Sequence, residues 1–348
     1  MDLVVTNSLL EVTDLVTHFE TERGVVRAVD GVSFVLNEGA TLGIVGESGS
    51  GKSVLSRSIM GLLPKYNTEK SGSAKFEGSE VVDKTPRQLR RLYGTGMAMI
   101  FQDPMTSLNP VVKIGRQITE SLRLHFDMDK AFASATAEEL LRSVGIPEPR
   151  RRLSEYPHQL SGGMRQRVVI AIALACGPKL LLADEPTTAL DVTVQKQILN
   201  LLARQQAERR MSMILVTHDL GVVAGRTDEI MVMYAGQAVE KAPTRSLFSA
   251  MRHPYTEALF KSIPKISDPS HTRLVAIPGR PPNMITPPPG CRFAPRCPYA
   301  QQRCHEELPP LTADAGDPSH LFRCWYPVGI SVKPSELVSS AVDIAGGS

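Results

Sequence analysis

The chain contains 348 residues, of which 42% are hydrophobic and 22% are charged, and its formal net charge is +3. This length and composition predict one large globular domain with a smaller one, and they exclude a disordered or fibrous chain. The small net charge gives no reason to expect a broad nucleic-acid-binding face, and the apolar run VVIAIALAC is far shorter than the roughly 18 residues of a membrane span.

The beginning of the chain, MDLVVTNSLLEV, has an early acidic residue and lacks the cationic leader of a secretory signal. We therefore expect a cytosolic protein. Thiols stay reduced in that compartment, so the five cysteines are not expected to form a disulfide framework.

Strands and helices alternate along most of the chain. The N-terminal part predicts strands in LLEVTDLVTHF, RAVDGVSFVL and TLGIVG, a helix in SVLSRSIMGLL, a β-rich piece in SGSAKFEGSEVV, a helix in PRQLRRLYG and a strand in MAMIF. Helical spacing without strands then runs from Asp103 to Pro157, which indicates a helical insert. The strand KLLLADE, the helix TVQKQILNLLARQQAERR and the strand MSMILVTHD follow, so we expect a mainly parallel sheet covered on both faces.

The stretch GESGSGKS, between the strand TLGIVG and a helix, fits the P-loop pattern. Its glycines let backbone N–H groups wrap a polyphosphate, while Lys52 meets the outer phosphates and the Ser53 hydroxyl meets Mg²⁺. An ordinary glycine-rich turn is the alternative, and the flanking strand and helix argue against it. The nucleotide contacts expected from this loop are Gly46, Ser48, Gly49, Ser50, Gly51, Lys52, Ser53 and Val54.

Polar residues at the ends of other strands predict the rest of the site. Asp184 ends the strand of LLLADE, where an open α/β sheet places its ligands, and an aspartate there holds Mg²⁺ in P-loop enzymes. Glu185 is then placed to deprotonate the attacking water, although a helix-starting acid before Pro186 is the simpler alternative. His218 is expected near the γ-phosphate and Gln102 near Mg²⁺ or its water, although a lone strand-end histidine is usually satisfied by backbone groups.

A second glycine-rich stretch, LSGGMRQR, begins at Leu160 and opens a helical pattern. Such a loop is an anion site as well, because backbone N–H groups and the helix dipole face whatever lies there. The chain thus contains two candidate anion sites more than a hundred residues apart.

Six stretches together resemble the motifs of ABC transporter ATP-binding subunits. They are GESGSGKS (Walker A motif), Gln102 (Q-loop), LSGGM (signature), LLLADE (Walker B motif), Ala189 to Asp191 (D-loop) and His218 (switch histidine). The resemblance covers Leu10 to about Phe248. It implies an α/β fold, with a P-loop NTPase core, an antiparallel β subdomain and a helical subdomain. It also implies that Phe19 stacks on adenine.

In this family two ATPase domains pair head to tail, so the resemblance explains the second anion site. Ser161, Gly162 and Gly163 would cover the γ-phosphate of the ATP bound to the partner, and Asp191 would lie near the same interface. The implied partners are a second ABC ATPase subunit, either related or identical, and two membrane-spanning permease subunits, with an extracytoplasmic solute-binding protein acting through the complex. None of the motifs is degenerate, so we expect ATP hydrolysis, with ATP and Mg²⁺ as cofactors and no nucleic-acid partner.

The part of the chain after Phe248 is rich in proline and contains Cys291, Cys297, Cys304 and Cys324. Four thiolates can bind one iron–sulfur cluster, while the absence of a CxxC pair disfavours the common zinc-ribbon spacing. A zinc site, with His305 or His320 as substitute ligands, and unligated thiols remain open. HPYTEAL, IPGRPPN and GCRFAPRCP resemble the C-terminal extension of oligopeptide and dipeptide importer ATPases, which implies a [4Fe–4S] cluster.

The expected domains are an ABC ATPase domain at 1–248, with a helical subdomain at about 104–160, a small Pro/Cys-rich extension at 249–330, and a flexible tail at 331–348. The expected function is energy coupling in an ABC importer of oligopeptides or dipeptides, peripheral on the cytoplasmic face of the inner membrane. The alternatives are a nickel-importer ATPase, an ATPase of other purpose with a redox-regulatory tail, and a soluble ABC ATPase acting on ribosomes or DNA. That last class usually has two ATPase domains or a long coiled-coil insert, and neither occurs in this sequence.

Overall fold

The computed structural model describes residues 7–188, 190–262 and 277–329. The strands are β1 (Ser8–Thr21), β2 (Gly24–Asn37), β3 (Thr41–Val45), β4 (Thr68–Phe76), β5 (Ser79–Glu80), β6 (Met97–Ile100), β7 (Leu180–Asp184), β8 (Ser212–Thr217), β9 (Glu229–Tyr234), β10 (Gln237–Pro243), β11 (Thr312–Ala313) and β12 (Leu321–Phe322). The helices are α1 (Lys52–Ile59), α2 (Pro86–Leu92), α3 (Pro104–Ser107), α4 (Ile114–His125), α5 (Lys130–Ser143), α6 (Pro149–Arg152), α7 (Gly162–Leu174), α8 (Val192–Arg209), α9 (Leu220–Val223), α10 (Thr244–Ser249), α11 (Pro254–Lys261) and α12 (Gln302–Glu306). The expected tail at 331–348 and Ala189 of the expected D-loop lie outside the described residues.

The chain forms two compact units, of which the first comprises Met1–Asp83 and Leu215–Ser348. Its antiparallel sheet has the strand order β2-β1-β4-β5, and Phe19 of β1 pairs with Val26 of β2. A second set of strands has the order β11-β12-β10-β9-β3, in which β3 and β9 run parallel. All residues of β3 are buried, as expected for a strand that is covered on both faces.

The second unit, Lys84–Ile214, contains the stretch in which the sequence predicts helices alone. Helices α3 to α7 follow one another there, and the buried residues Ile114, Ile118 and Leu122 of α4 recur every four positions. This spacing places their side chains on one face of the helix. In the same unit β6 and β7 pair in parallel, with Ile100 opposite Ala183, so their carboxyl ends meet at one edge. Among the residues that the structure describes, no helix is both long enough and apolar enough to cross a bilayer.

Within the first unit, a buried carboxylate of β10 holds the segment that follows this strand. Glu240 of β10 is fully buried, and it accepts hydrogen bonds from the backbone N–H groups of Arg252 at 2.7 Å and His253 at 2.9 Å. His320 Nε2 lies 2.7 Å from the same carboxylate. Because a buried charge is tolerated only when it is well paired, these contacts specify how the segment folds back onto β10.

Candidate functional site

The phosphate loop, Gly46 to Ser53, connects the buried strand β3 to α1. Gly49 and Gly51 have positive φ angles of 80° and 102°, a region that only glycine enters without strain. A Cβ atom on Gly51 would overlap the carbonyl oxygen of Ala28, and one on Gly46 would overlap the carbonyl oxygen of Met233. The glycines therefore allow a tight turn whose backbone N–H groups end at the N-terminus of α1, where an anion is favoured.

Lys52 begins α1, and its side chain folds back onto the phosphate loop. The ammonium donates hydrogen bonds to the carbonyl oxygens of Gly46 at 2.7 Å and Glu47 at 2.9 Å, and the residue is only 4% exposed. These contacts fix the position of the charge within the loop. Ser48 and Gly49 are exposed, whereas Ser53 and Val54 are half-buried.

Two further candidates belong to the same unit as the phosphate loop. His218 directly follows β8 and is exposed, and its contact with the γ-phosphate stays a prediction. Phe19 is half-buried on β1, between its pairing partners Val26 and Thr68. Its contact with adenine stays a prediction.

The second unit brings Gln102 and Glu185 together. Glu185 follows Asp184, the fully buried last residue of β7, and adopts a φ of 45°, which is uncommon for a residue with a side chain. Its Oε2 accepts hydrogen bonds from Gln102 Nε2 at 3.0 Å and Thr188 Oγ1 at 2.9 Å. The meeting follows from the parallel pairing of β6 and β7, since each residue comes just after the end of one strand.

The signature stretch opens α7. Ser161 is the N-cap residue, and its hydroxyl accepts the backbone N–H of Met164 at 3.3 Å. Ser161 and Gly162 are exposed, so the first turn of this thirteen-residue helix is accessible. Asp191 is the N-cap residue of α8 and accepts the backbone N–H of Val194 at 2.9 Å. Both helices thus begin at exposed, capped N-termini.

Cys291, Cys297, Cys304 and Cys324 line one small cavity of about 10 Å³ in the first unit. Burial, and then the proximity of the other thiols, raise the pKa of Cys297 to about 11 and that of Cys324 to about 12. These thiols are therefore neutral at pH 7 unless a cation displaces their protons. In the described part of the chain, no group of three or more His, Cys, Asp or Glu side chains is arranged to hold a metal ion. Cys176 is buried in the second unit and donates to the Ser121 carbonyl at 3.6 Å.

Sequence reasoning missed the residues that hold Glu47 of the phosphate loop. Arg296 and Tyr255 both contact Glu47, although they lie 249 and 208 residues away in sequence. No local pattern signals such a contact. A buried arginine in a proline-rich segment needs a carboxylate partner, but the sequence does not tell which one.

A family model described as "ABC transporter" matches residues 29–188, and one described as "Oligopeptide/dipeptide transporter, C-terminal region" matches residues 239–304. The ATP-binding cassette MJ0796, in a dimeric structure of a post-hydrolysis state bound to ADP and Pi, is 26% identical with a TM-score of 0.61. The alignment covers 68% of this chain and 99% of that one. Fold and site thus define an ATP-hydrolysing, transport-coupled subunit of the ABC type, and they confirm the predicted P-loop NTPase fold.

Curated relatives show to which family of ABC-type ATPase subunits the chain belongs. The oligopeptide transport ATP-binding protein OppD of Haemophilus influenzae is 50% identical over 319 residues, which is 92% of this chain and 97% of that protein. The dipeptide transport ATP-binding protein DppD of Escherichia coli is 47% identical over 328 residues, or 94% and 99% of the two chains. This chain belongs to the family of oligopeptide and dipeptide transport ATP-binding proteins.

The phosphate loop yields a direct prediction. Replacing Gly51 by alanine combines backbone strain with overlap on Ala28, so we expect ATP affinity to fall by at least about tenfold, equivalent to 1.4 kcal/mol, at the lower end of typical strain energies. Titration of the purified chain with a fluorescent ATP analogue measures this. Gly225→Ala is the control, because a Cβ there meets no atom within 4 Å. Equal affinity in the Gly51→Ala and Gly225→Ala proteins would contradict the role of the turn.

Proposed function

We propose that this chain couples ATP hydrolysis to the uptake of oligopeptides or dipeptides, as a peripheral subunit on the cytoplasmic face of the inner membrane. The observation that carries the proposal is the match of residues 239–304 to the C-terminal region of oligopeptide and dipeptide transporters, a region that lies outside the match to the general ABC transporter model at 29–188. The names of the relatives point to the same solutes. The proposed assembly contains a second ATPase subunit, two permease subunits and a solute-binding protein outside the membrane.

We also propose the domain limits given by the sequence, with an ATPase domain at 1–248 and an extension at 249–330. The helical subdomain at about 104–160 is supported by the succession of α3, α4, α5 and α6. The extension is supported by the proline-rich segment that contains the cysteine cavity.

In the proposed site, the phosphate loop binds the nucleotide through its N–H groups and Lys52. Ser53, Gln102 and Asp184 would hold Mg²⁺, which offsets phosphate charge when it is bound. Glu185 is the proposed general base and His218 a γ-phosphate contact. Gln102 and Thr188 donate hydrogen bonds to the Glu185 carboxylate and so orient it, and an oriented carboxylate can accept a proton from water.

The second half of the nucleotide site is proposed to come from a partner. The exposed first turn of α7, with Ser161, Gly162 and Gly163, would meet the γ-phosphate of a nucleotide bound by the partner subunit. Asp191 would lie close to this contact. ATP that binds the closed pair better than the open pair shifts the population toward closure, and hydrolysis removes that preference. This cycle can drive a membrane partner.

Replacing Glu185 by glutamine tests the catalytic assignment. The amide keeps the size of the side chain and loses the basic carboxylate, so we expect ATP turnover to fall by at least about a hundredfold while ATP binding persists. Peptide uptake by the reconstituted importer should fall in parallel. Turnover is measured as phosphate release and uptake with a labelled peptide.

Glu148→Gln is the matched control, since Glu148 is an exposed glutamate that, like Glu185, has a left-handed φ, here 50°. It should retain turnover and uptake. Normal hydrolysis by the Glu185→Gln protein would show that the base is assigned wrongly. If hydrolysis depends on Glu185 but the reconstituted importer takes up nickel and no peptide, the proposed solute is wrong while the proposed base stands.

The four cysteines of the cavity are proposed to ligate a [4Fe–4S] cluster. The support is the donor set itself, four thiols at one cavity, together with the family resemblance of this segment. A single zinc ion bonds each sulfur at about 2.3 Å and so needs all four within about 4 Å of one another. The described residues contain no group of three or more His, Cys, Asp or Glu side chains arranged to hold a metal ion, so the donor set and the family resemblance alone support this proposal. When bound, the cluster would supply the positive charge that keeps the thiols ionised.

Cys297→Ser tests this ligand set. Anaerobically purified protein should be brown and contain iron and sulfide in equal amounts, and the substitution should remove most of both, because one of four ligands is lost. Cys176→Ser is the control, since Cys176 lies in the other unit. A colourless wild-type protein with stoichiometric zinc would contradict the proposal, as would unchanged iron content in the Cys297→Ser protein.

A further inference from the structure

Glu47 is the only acidic residue of the phosphate loop, and Arg296 of the C-terminal extension pairs with it. Arg296 Nη1 lies 2.6 Å from Glu47 Oε2, and Nη2 lies 3.0 Å from Oε1. Both carboxylate oxygens thus accept from one guanidinium, the bidentate geometry of the strongest ion pairs. The Arg296 side chain is 3% exposed, whereas that of Glu47 is 27% exposed.

The position of the Arg296 guanidinium is fixed by further contacts. Nε donates to the Pro278 carbonyl at 2.9 Å, and Nη1 donates to the Tyr234 hydroxyl at 3.2 Å. The rings of Tyr234 and Phe293 lie 5.8 and 5.9 Å from its central carbon, within range of a cation–π interaction. The hydrogen bond to Glu47 is the largest influence that raises the pKa of Arg296. Glu47 therefore neutralises a guanidinium that is otherwise surrounded by rings and dipoles.

The other polar groups of Glu47 are held as well. Its backbone N–H donates to the Tyr255 hydroxyl at 2.8 Å, and Tyr255 is fully buried on α11. Its carbonyl oxygen accepts from Lys52 Nζ at 2.9 Å and from the backbone N–H of Ser50 at 3.2 Å. Residues of the C-terminal part thus hold both the backbone and the side chain of this loop residue.

The acidic side chain poses an electrostatic problem for a loop that binds polyphosphate. A carboxylate repels phosphate oxygens, and this repulsion is strongest where water is excluded. Opposite charge at hydrogen-bonding distance cancels most of it. A bidentate partner also fixes the orientation of the carboxylate, which would vary if the glutamate side chain were free to rotate.

We propose that Arg296 is a positioning residue for ATP binding: it neutralises and orients Glu47, so that the proline- and cysteine-rich extension forms part of the nucleotide site. Arg296 acts through Glu47. The proposal rests on the proposed role of the phosphate loop in binding ATP.

The experiment measures the affinity of the full-length chain for a fluorescent ATP analogue in Arg296→Met, Glu47→Gln and the double variant. We expect Arg296→Met to weaken binding at least tenfold, because it leaves an unpaired carboxylate in the loop. Glu47→Gln removes that carboxylate and should cost less. The double variant should bind more tightly than Arg296→Met, which a purely structural role of Arg296 does not predict.

Arg303→Met is the matched control. Arg303 belongs to the same extension, pairs with Glu307 at 2.9 Å and stacks on Trp325, with half of its side chain exposed. Its replacement should leave ATP affinity unchanged. Thermal melting and iron content, measured on every variant, separate an effect on the loop from loss of the fold or of the neighbouring Cys297 site.

Two results would overturn the proposal: wild-type affinity in the Arg296→Met protein, or a double variant that binds no better than Arg296→Met. If Arg296→Met does not fold, Arg296→Lys serves instead. It keeps the charge but loses the bidentate geometry, so binding should be weaker than in the wild type and should recover when Glu47→Gln is added. Lys52→Ala separates a failure of the proposed function from a failure of the role of Arg296. Normal ATP binding by the Lys52→Ala protein would reject the proposed role of the phosphate loop. Normal binding by the Arg296→Met protein alone would reject only the role of Arg296.

Discussion

The proposed nucleotide site depends on contacts between a polyphosphate and the backbone N–H groups at the start of α1. Backbone donors serve this purpose only if they are fixed before the ligand arrives, since ordering them during binding would cost affinity. The left-handed angles of Gly49 and Gly51, and the close approach of Gly46 to Met233, supply that fixed turn. Lys52 is held against the same loop by two carbonyl oxygens. Charge and geometry are thus set in advance.

The contacts of the C-terminal part of the chain follow the rule that buried charges must be paired. Glu240 is buried beside His320 and two backbone N–H groups, and Arg292 pairs with Asp30 of β2. Arg296 pairs with Glu47 of the phosphate loop itself. Removing one partner of such a pair leaves a buried charge without compensation, which strongly destabilises the folded protein. The extension is therefore attached through contacts that are specific in direction and in partner.

The sequence predicts those features that local pattern determines. A strand, a glycine-rich turn and a helix follow one another at Gly46 to Ser53, and Gln102 and Glu185 each come after a predicted strand. Their mutual contact was not predicted, and it follows from the parallel pairing of β6 and β7. The sequence also does not predict the pairing of Arg296 with Glu47 across 249 residues, nor that Glu240, inside the polar-looking QAVEKAP, is fully buried. Such contacts depend on how distant segments of the chain pack together, and the spacing of residues along the sequence does not predict that packing.

In the proposed assembly, each nucleotide is held by the phosphate loop of one chain and the start of α7 of another. This arrangement can be tested by determining the structure of the intact complex with a non-hydrolysable ATP analogue and Mg²⁺. We expect the Ser161 hydroxyl at hydrogen-bonding distance, about 3 Å, from the γ-phosphate of a nucleotide on the phosphate loop of the neighbouring ATPase subunit. A closed complex in which Ser161 is remote from every nucleotide would contradict it.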